Sequence, residues 1–239
     1  MYTLVVGASG ATGKHLVEEL IVMGHQVKVM VRPAAVFPDS WTENKNVSII
    51  EANVSEIDQT EMAMYLKNCN AVASCLGHNM TFKGIFGKPR KLVKDTIRLL
   101  SKAIELNAPT TPVKLVLMNT AGNINRDLPE SVSPAERIVL GLIRALLPPH
   151  LDNEHAADFL RTDIGQDHPL VEWVVVRPDT LIDQDTKSEY DLHASPTRSA
   201  LFNPGKTSRI NVGYFMAKLL SDSDLWNKWK GQMPVIYNK

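Results

Sequence analysis

The sequence predicts an α/β fold: a doubly wound, mostly parallel sheet with helices on both faces, in a single domain spanning residues 1–239. Three observations carry this. Apolar runs of strand length alternate with helix-length stretches from end to end, which is the pattern of βαβ units. The runs are continuous rather than alternating, as at Leu4-Val5-Val6, which suits strands buried on both faces. The first run also passes through Gly7, Gly10 and Gly13 directly into a helical pattern.

In that strand–turn–helix setting the three glycines have a mechanical meaning. Gly7 allows the tight turn off the strand, Gly10 admits a pyrophosphate to the backbone, and Gly13 lets the helix pack close to the sheet. The unpaired N–H groups of the helix's first turn then face the phosphates. Gly7, Ser9, Gly10, Ala11, Thr12 and Gly13 are therefore expected to hold a dinucleotide.

Residues 14–23 read as the first helix, with Leu16, Val17, Leu20 and Ile21 on one face and Gly24-His25 closing it. Residues 26–31 read as the second strand, ending at Arg32-Pro33. The residue at this strand end meets the adenosine ribose. A carboxylate there binds the 2′-hydroxyl of NAD, whereas Arg32 suits the 2′-phosphate of NADP. NADPH is thus expected over NADH. Residues 34–45 read as loop with a short helix near 38–43, and residues 47–52 as the third strand. Asn53-Val54 follow, and Asn53 either bonds the adenine edge or forms a turn before a helix. Ser55 reads as the N-cap of a helix over 56–67.

Residues 71–77 read as the fourth strand, beside the first, so that Leu76 and Gly77 border the ligand crevice. His78 and Asn79 leave the strand there, His78 as a substrate contact or an ordinary loop residue. Residues 80–90, with Gly84, Gly87 and Pro89, read as a loop and a candidate lid. A helix over 91–107 and a strand over 113–118 follow, the strand ending in Asn119-Thr120-Ala121-Gly122. Residues 134–147 form a helix apolar on most sides, assigned to the core or a subunit contact, with the wall of an apolar pocket as the alternative. Pro148-Pro149 end it and residues 151–162 begin another. The strand over 171–176 closes with Arg177-Pro178, and residues 181–197 lack periodicity, as a substrate-side loop would. A helix over 213–220 and a last strand over 233–237 complete the chain. The substrate side is thus built from segments at about 78–90, 123–163 and 181–208.

Composition narrows the function classes. Lys+Arg and Asp+Glu both number 26, so nothing calls for a nucleic-acid partner. Cys69 and Cys75 make neither a disulfide framework nor a zinc site, and no metal is expected. A reducing, cytoplasmic setting is the simplest reading. The first strand starts at Tyr2, which leaves no room for a signal peptide, and no apolar run reaches the about 18 residues of a membrane span.

Several of these stretches together carry a family likeness. Gly7-Ala8-Ser9-Gly10-Ala11-Thr12-Gly13, Val31-Arg32-Pro33, Asn53-Val54, Asn119-Thr120-Ala121-Gly122 and Val174-Val175-Val176-Arg177-Pro178 resemble the atypical short-chain dehydrogenases. The nearest branch holds the NmrA-like and biliverdin-reductase-B/flavin-reductase-like proteins. The resemblance implies a Rossmann fold with sheet order 3-2-1-4-5-6-7 and NAD(P) at the C-terminal edge of the strands. By that resemblance, Leu76, Gly77, Asn119, Arg177 and Pro178 join the cofactor site. It does not imply one reaction, since its members include reductases, epimerases and redox-sensing regulators.

The chain departs from the family at one place. Typical members carry Tyr-x-x-x-Lys on the helix after the fifth strand, and none of the tyrosines, at 2, 65, 190, 214 and 237, lies there. In that register His150 and Glu154 stand near the Tyr and Lys positions, with His155 adjacent. His150 is the candidate proton donor, since imidazole titrates near neutrality. Alternatively Asp152, Asn153 and Glu154 simply cap and begin a helix. Thr120 stands where the family's serine polarises the substrate, and Asn119 is an equal candidate. Where the acceptor is a flavin or tetrapyrrole, solvent supplies the proton. The expected function is an NADP-dependent oxidoreductase acting on a small organic molecule. A non-catalytic NADP sensor is the alternative, an epimerase a weaker one, and a second copy of the chain a candidate partner.

Overall fold

The computed structural model describes residues 1–78 and 81–239, with the side chains of residues 82 and 83 outside that description. In chain order the elements are β1 (Tyr2–Val6), α1 (Ala11–Val22), β2 (Gln26–Val31), α2 (Ser40–Glu43), β3 (Val47–Glu51), α3 (Gln59–Leu66), β4 (Ala71–Ser74), α4 (Phe82–Phe86) and α5 (Leu92–Asn107). Then come β5 (Val113–Met118), α6 (Pro134–Leu146), α7 (Pro148–Phe159), a π-helical turn (Leu160–Ile164), β6 (Val171–Pro178), β7 (Thr180–Ile182) and β8 (Tyr190–His193). The chain ends with β9 (Lys206–Ser208), α8 (Arg209–Ser221), α9 (Ser223–Trp229) and β10 (Val235–Asn238).

Among the described residues the main sheet has the order β3-β2-β1-β4-β5-β6-β10-β8. Every pairing in it is parallel except β10 with β8. The order reverses between β1 and β4, and that switch point is where an open sheet of this kind leaves a crevice at its strand C-termini. The continuous apolar runs are what the two-sided burial requires. Leu4, Val5, Val72, Ala73, Leu115, Val116, Val174 and Val175 are all fully buried. Successive side chains feed two cores, as the period of two dictates. Leu4, Val72, Leu115 and Val175 meet α3, α5 and α7 on one face, and Val5, Ala73, Val116 and Val174 meet α1, α8 and α9 on the other. Gly213 lets α8 lie against α1, because a Cβ there would stand 2.7 Å from the Leu16 nitrogen.

Several local expectations need correction. Asp58, not Ser55, caps α3 by accepting from the Glu61 N–H at 2.8 Å, while Ser55 is drawn into the turn of Asn53. The segment read as a lid contains α4 rather than only loop, and Asn79 and Met80 lie outside the described residues. α6 does end ahead of Pro148-Pro149, with Leu147 extended as its C-cap, but the next helix does not wait until residue 151. The two prolines open α7, at positions whose N–H groups have no helical partner in any case. The stretch 181–197 carries β8, whose edge pairing with β10 is non-local and leaves no periodic trace.

The helix expected to be core is largely outside it. On α6 only Glu136 and Leu140 are buried, and Ile138, Leu142 and Leu146 are 56–67% exposed. The reason is position: α6 packs on α7 rather than on the sheet, so one side of it has a partner. Among the described residues no helix is long and apolar enough to cross a membrane.

Candidate functional site

The first turn of the sheet is built around its glycines. Gly7 has φ +74°, and a Cβ on it would stand 2.8 Å from the backbone carbon of Cys75 on the neighbouring strand end. Gly13 is tighter still, because its Cβ would stand 2.2 Å from the Gly7 oxygen and 2.8 Å from that of Ala8. Both positions therefore require glycine for the loop to close on itself. Gly10 differs. It is exposed, it donates its N–H to the Gly7 oxygen at 3.1 Å, and it stands as the N-cap of α1 with no side-chain cap. The N–H groups of Ala11, Thr12 and Gly13 find no acceptor among the described residues, and the first turn carries no acidic residue. Three unpaired donors at the positive end of a helix favour an anion. The missing side chain at Gly10 leaves the approach to them open, so the loop fits a pyrophosphate. Ser9 is half-buried and Thr12 buried beside it.

One strand away, Arg32 follows β2 and is exposed, its side chain with no hydrogen-bond or ion-pair partner among the described residues. Its own carbonyl accepts from Ala35, which turns the chain away after it. Asn53 takes the turn-forming alternative: its amide donates to Glu56 at 2.6 Å and its oxygen accepts from the Ser55 hydroxyl at 2.9 Å. Val54 is buried in the core, so only its backbone faces outward, while Leu76 is half-buried and Gly77 exposed at the end of β4.

At the ends of β5 and β6 the polar groups have protein partners. Asn119 is buried, and its amide donates to the Asn153 carbonyl at 2.9 Å while its oxygen accepts from the Thr120 N–H at 2.9 Å. Arg177 does not turn its side chain to the crevice. It is fully buried, and its donors reach the carbonyls of Met233, Asn123 and Ala194 and both carboxylate oxygens of Glu130. A guanidinium so enclosed is a strut between three segments, and only the backbone of Arg177 and Pro178 lines the crevice side. His78 is likewise engaged: Nε2 lies 2.8 Å from Asp152 and Nδ1 3.2 Å from the Gly84 carbonyl. Asp152 also accepts from the N–H groups of Val93 and Lys94, which caps α5 from a distant helix.

Thr120 and His150 do come together. Both flank Gly122, whose Cβ would stand 3.6 Å from His150 Cε1 and 3.7 Å from Thr120 Oγ1. His155, one turn and a half further on, instead lines a groove with Lys94, Arg98 and Phe159 on the outer face of α5 and α7. Glu154 is not a helix-starting acid, since α7 already begins at Pro148. It is buried, with Arg144 Nε 2.8 and 2.9 Å from its two oxygens and His150 Nε2 3.3 Å from Oε1, within ion-pair range but off the hydrogen-bond direction. Burial pushes the Glu154 carboxyl up, but His150 and Arg144 outweigh it and hold it down at about 2, against an ordinary 4.5.

The sequence reading missed Arg144, Glu130 and Asp152 as parts of this region. Their partners lie 10, 47 and 74 residues away, and no local pattern announces such pairs. Behind Gly122 a cavity of about 30 Å³ is lined by Glu130, Glu136, Arg198 and Ser199, among others, and holds little more than a water. A larger cleft of about 590 Å³ lies between residues 66–70 and 104–113, at the N-terminal ends of β4 and β5. It is on the opposite edge from the glycine turn and belongs to no site described above.

Comparison with known proteins finds the same fold. Solved structures of similar fold include the oxidoreductase ylbE from Lactococcus lactis (TM-score 0.70, 16% identity, 100% of this chain and 91% of that one). A candidate NADH-flavin reductase from Streptococcus pneumoniae matches at TM-score 0.66 and 19% identity over the full length of both chains. A short-chain dehydrogenase/reductase from Veillonella parvula in complex with NADP matches at 0.71 and 14% identity, over 99% of this chain and 94% of that one. Among curated proteins no sequence matches significantly. At these identities the likeness is one of fold. The NAD(P)H-binding family matches residues 7–223, from the first glycine of the turn to the start of α9, and the chain belongs to that family.

Proposed function

We propose that the protein is an NADP(H)-dependent oxidoreductase acting on a small organic acceptor. The observation that carries this reading is the uncapped N-terminus of α1 behind Gly10, with the unpartnered Arg32 one strand away. The backbone of Ala11, Thr12 and Gly13 would hold the pyrophosphate and Arg32 the 2′-phosphate. Ser9, the backbone of Val54, Leu76, Gly77, Asn119 and Pro178 would line the rest of the crevice. Bound NADPH supplies a hydride, so the protein's part is orientation and proton supply. Thr120 is the hydroxyl that would polarise the acceptor, and His150 the group that would hold a proton beside it.

A second reading, an NADP-binding sensor without turnover, draws support from the cavity of about 30 Å³ behind Gly122 and from the partnered side chains of Asn119 and Arg177. Titration and a turnover assay separate the two. NADPH is expected to bind at least about tenfold more tightly than NADH, with Arg32→Ala removing most of the difference, consistent with loss of a charge-assisted contact. An Arg32→Ala protein with an unchanged NADPH/NADH ratio removes Arg32 from the site. Oxidation of NADPH with a quinone, flavin or carbonyl acceptor supports the enzyme, and none across a broad panel favours the sensor.

A further inference from the structure

The buried Nε2 of His150 points to a role for Glu154. Nε2 is enclosed and lacks a partner in hydrogen-bond geometry, yet its near neighbour is a carboxylate oxygen at 3.3 Å. An ionised carboxylate only accepts, so the ring can satisfy both groups only by carrying its hydrogen on Nε2. Arg144 fixes the carboxylate from the other side through both oxygens. Burial works against the charge, but the contacts to His150 and Arg144 together keep Glu154 ionised, its carboxyl held at about 2. The other ring nitrogen, Nδ1, has no hydrogen-bond partner among the described residues, and the side chain keeps 13% of its surface exposed. The ring edge that includes Cε1 faces Gly122, next to Thr120.

We propose that Glu154 is a positioning residue that holds His150 in its Nε2–H tautomer, leaving Nδ1 as the atom that takes up and gives back a proton beside Gly122. The hydrogen stays on Nε2, directed at Glu154 Oε1, throughout, and one proton enters and leaves at Nδ1. A small rotation of the ring toward Oε1 converts the contact into a hydrogen bond. The tautomer itself requires no turnover, whereas its catalytic consequence rests on the oxidoreductase reading.

Imidazole ¹⁵N spectra of the full chain, recorded where the ring is neutral and assigned with His150→Gln, read the tautomer directly. Nε2–H is expected to exceed Nδ1–H by at least about tenfold, as a hydrogen bond to a charged group would impose. The excess should fall several-fold in Glu154→Gln and recover in part in Glu154→Asp. A wild-type ring in the Nδ1–H form, or a ratio unmoved by Glu154→Gln, overturns the proposal. If Glu154→Gln does not fold, the wild-type spectrum still decides. Where NADPH oxidation is found, Glu154→Gln should lower kcat by about tenfold or more with KM for NADPH unchanged. Absence of any turnover counts against the oxidoreductase and leaves the tautomer result standing.

Discussion

The turn after β1 and the strand ends at β5 and β6 lie on the same edge of one sheet, yet they treat polar groups in opposite ways. At the first turn three backbone donors are left without partners and one exposed cation stands nearby. At the second, Asn119, His78, Asp152, Glu154 and Arg177 are all drawn into contacts within the protein. Burial explains the difference. Asn119, Asp152, Glu154 and Arg177 are 7% exposed or less, and a polar group without water must find a partner in the chain. The glycine turn is exposed at Gly10 and Ala11, and the buried Thr12 and Gly13 behind them keep N–H groups without a partner among the described residues. A site built for an incoming anion looks like the first region; a packed polar interior looks like the second.

The largest effect expected from breaking this contrast is on the second region. Glu130→Ala leaves the Arg177 guanidinium, 0% exposed, without its anion, and should cost about 3–5 kcal/mol in denaturant unfolding. A loss under about 1 kcal/mol would mean that the interior there is wetter than its contacts indicate. Next comes acid. Glu154 has its folded pKa depressed, so its contribution is present above the ordinary 4.5 and lost as pH falls toward about 2. That lowering corresponds to roughly 3 kcal/mol, measurable as a fall in Tm over that interval that Glu154→Gln abolishes.

The two glycines of the turn sharpen the contrast within the first region. Gly13→Ala forces a methyl against the Gly7 oxygen and should destabilise the fold by about 1–3 kcal/mol. Gly10→Val sets its Cβ 3.1 Å from the Gly7 oxygen, a milder contact than at Gly13, and should abolish dinucleotide binding while the chain still folds. If both variants lose stability alike, Gly10 is a packing glycine and not an approach to the helix. The smallest effect on stability belongs to Arg32→Ala, within about 0.5 kcal/mol, because the side chain is exposed and has no hydrogen-bond or ion-pair partner among the described residues. Its effect should appear in the NADPH/NADH ratio alone.

Much of this architecture was legible in the residues. Continuous runs such as Val174-Val175-Val176 say that a strand is covered on both faces, and the order of strands and helices then allows few topologies. Gly7, Gly10 and Gly13 announce the turn, because the spacing of small residues is itself the local requirement. Arg32 draws attention by its place at a strand end. These are short-range signals, in which neighbours in sequence set each other's conformation. What only the tertiary structure decided is which polar side chains remain available. Arg177 looks like a crevice residue until Glu130, Asn123, Ala194 and Met233 converge on it, and α6 looks like core until it is seen to pack on α7 rather than on the sheet. The pairing of Glu154 with both Arg144 and His150 depends on how two helices meet after Pro148. Partner choice among distant polar groups follows from shared burial, and burial is a property of the packed molecule that no window of sequence contains.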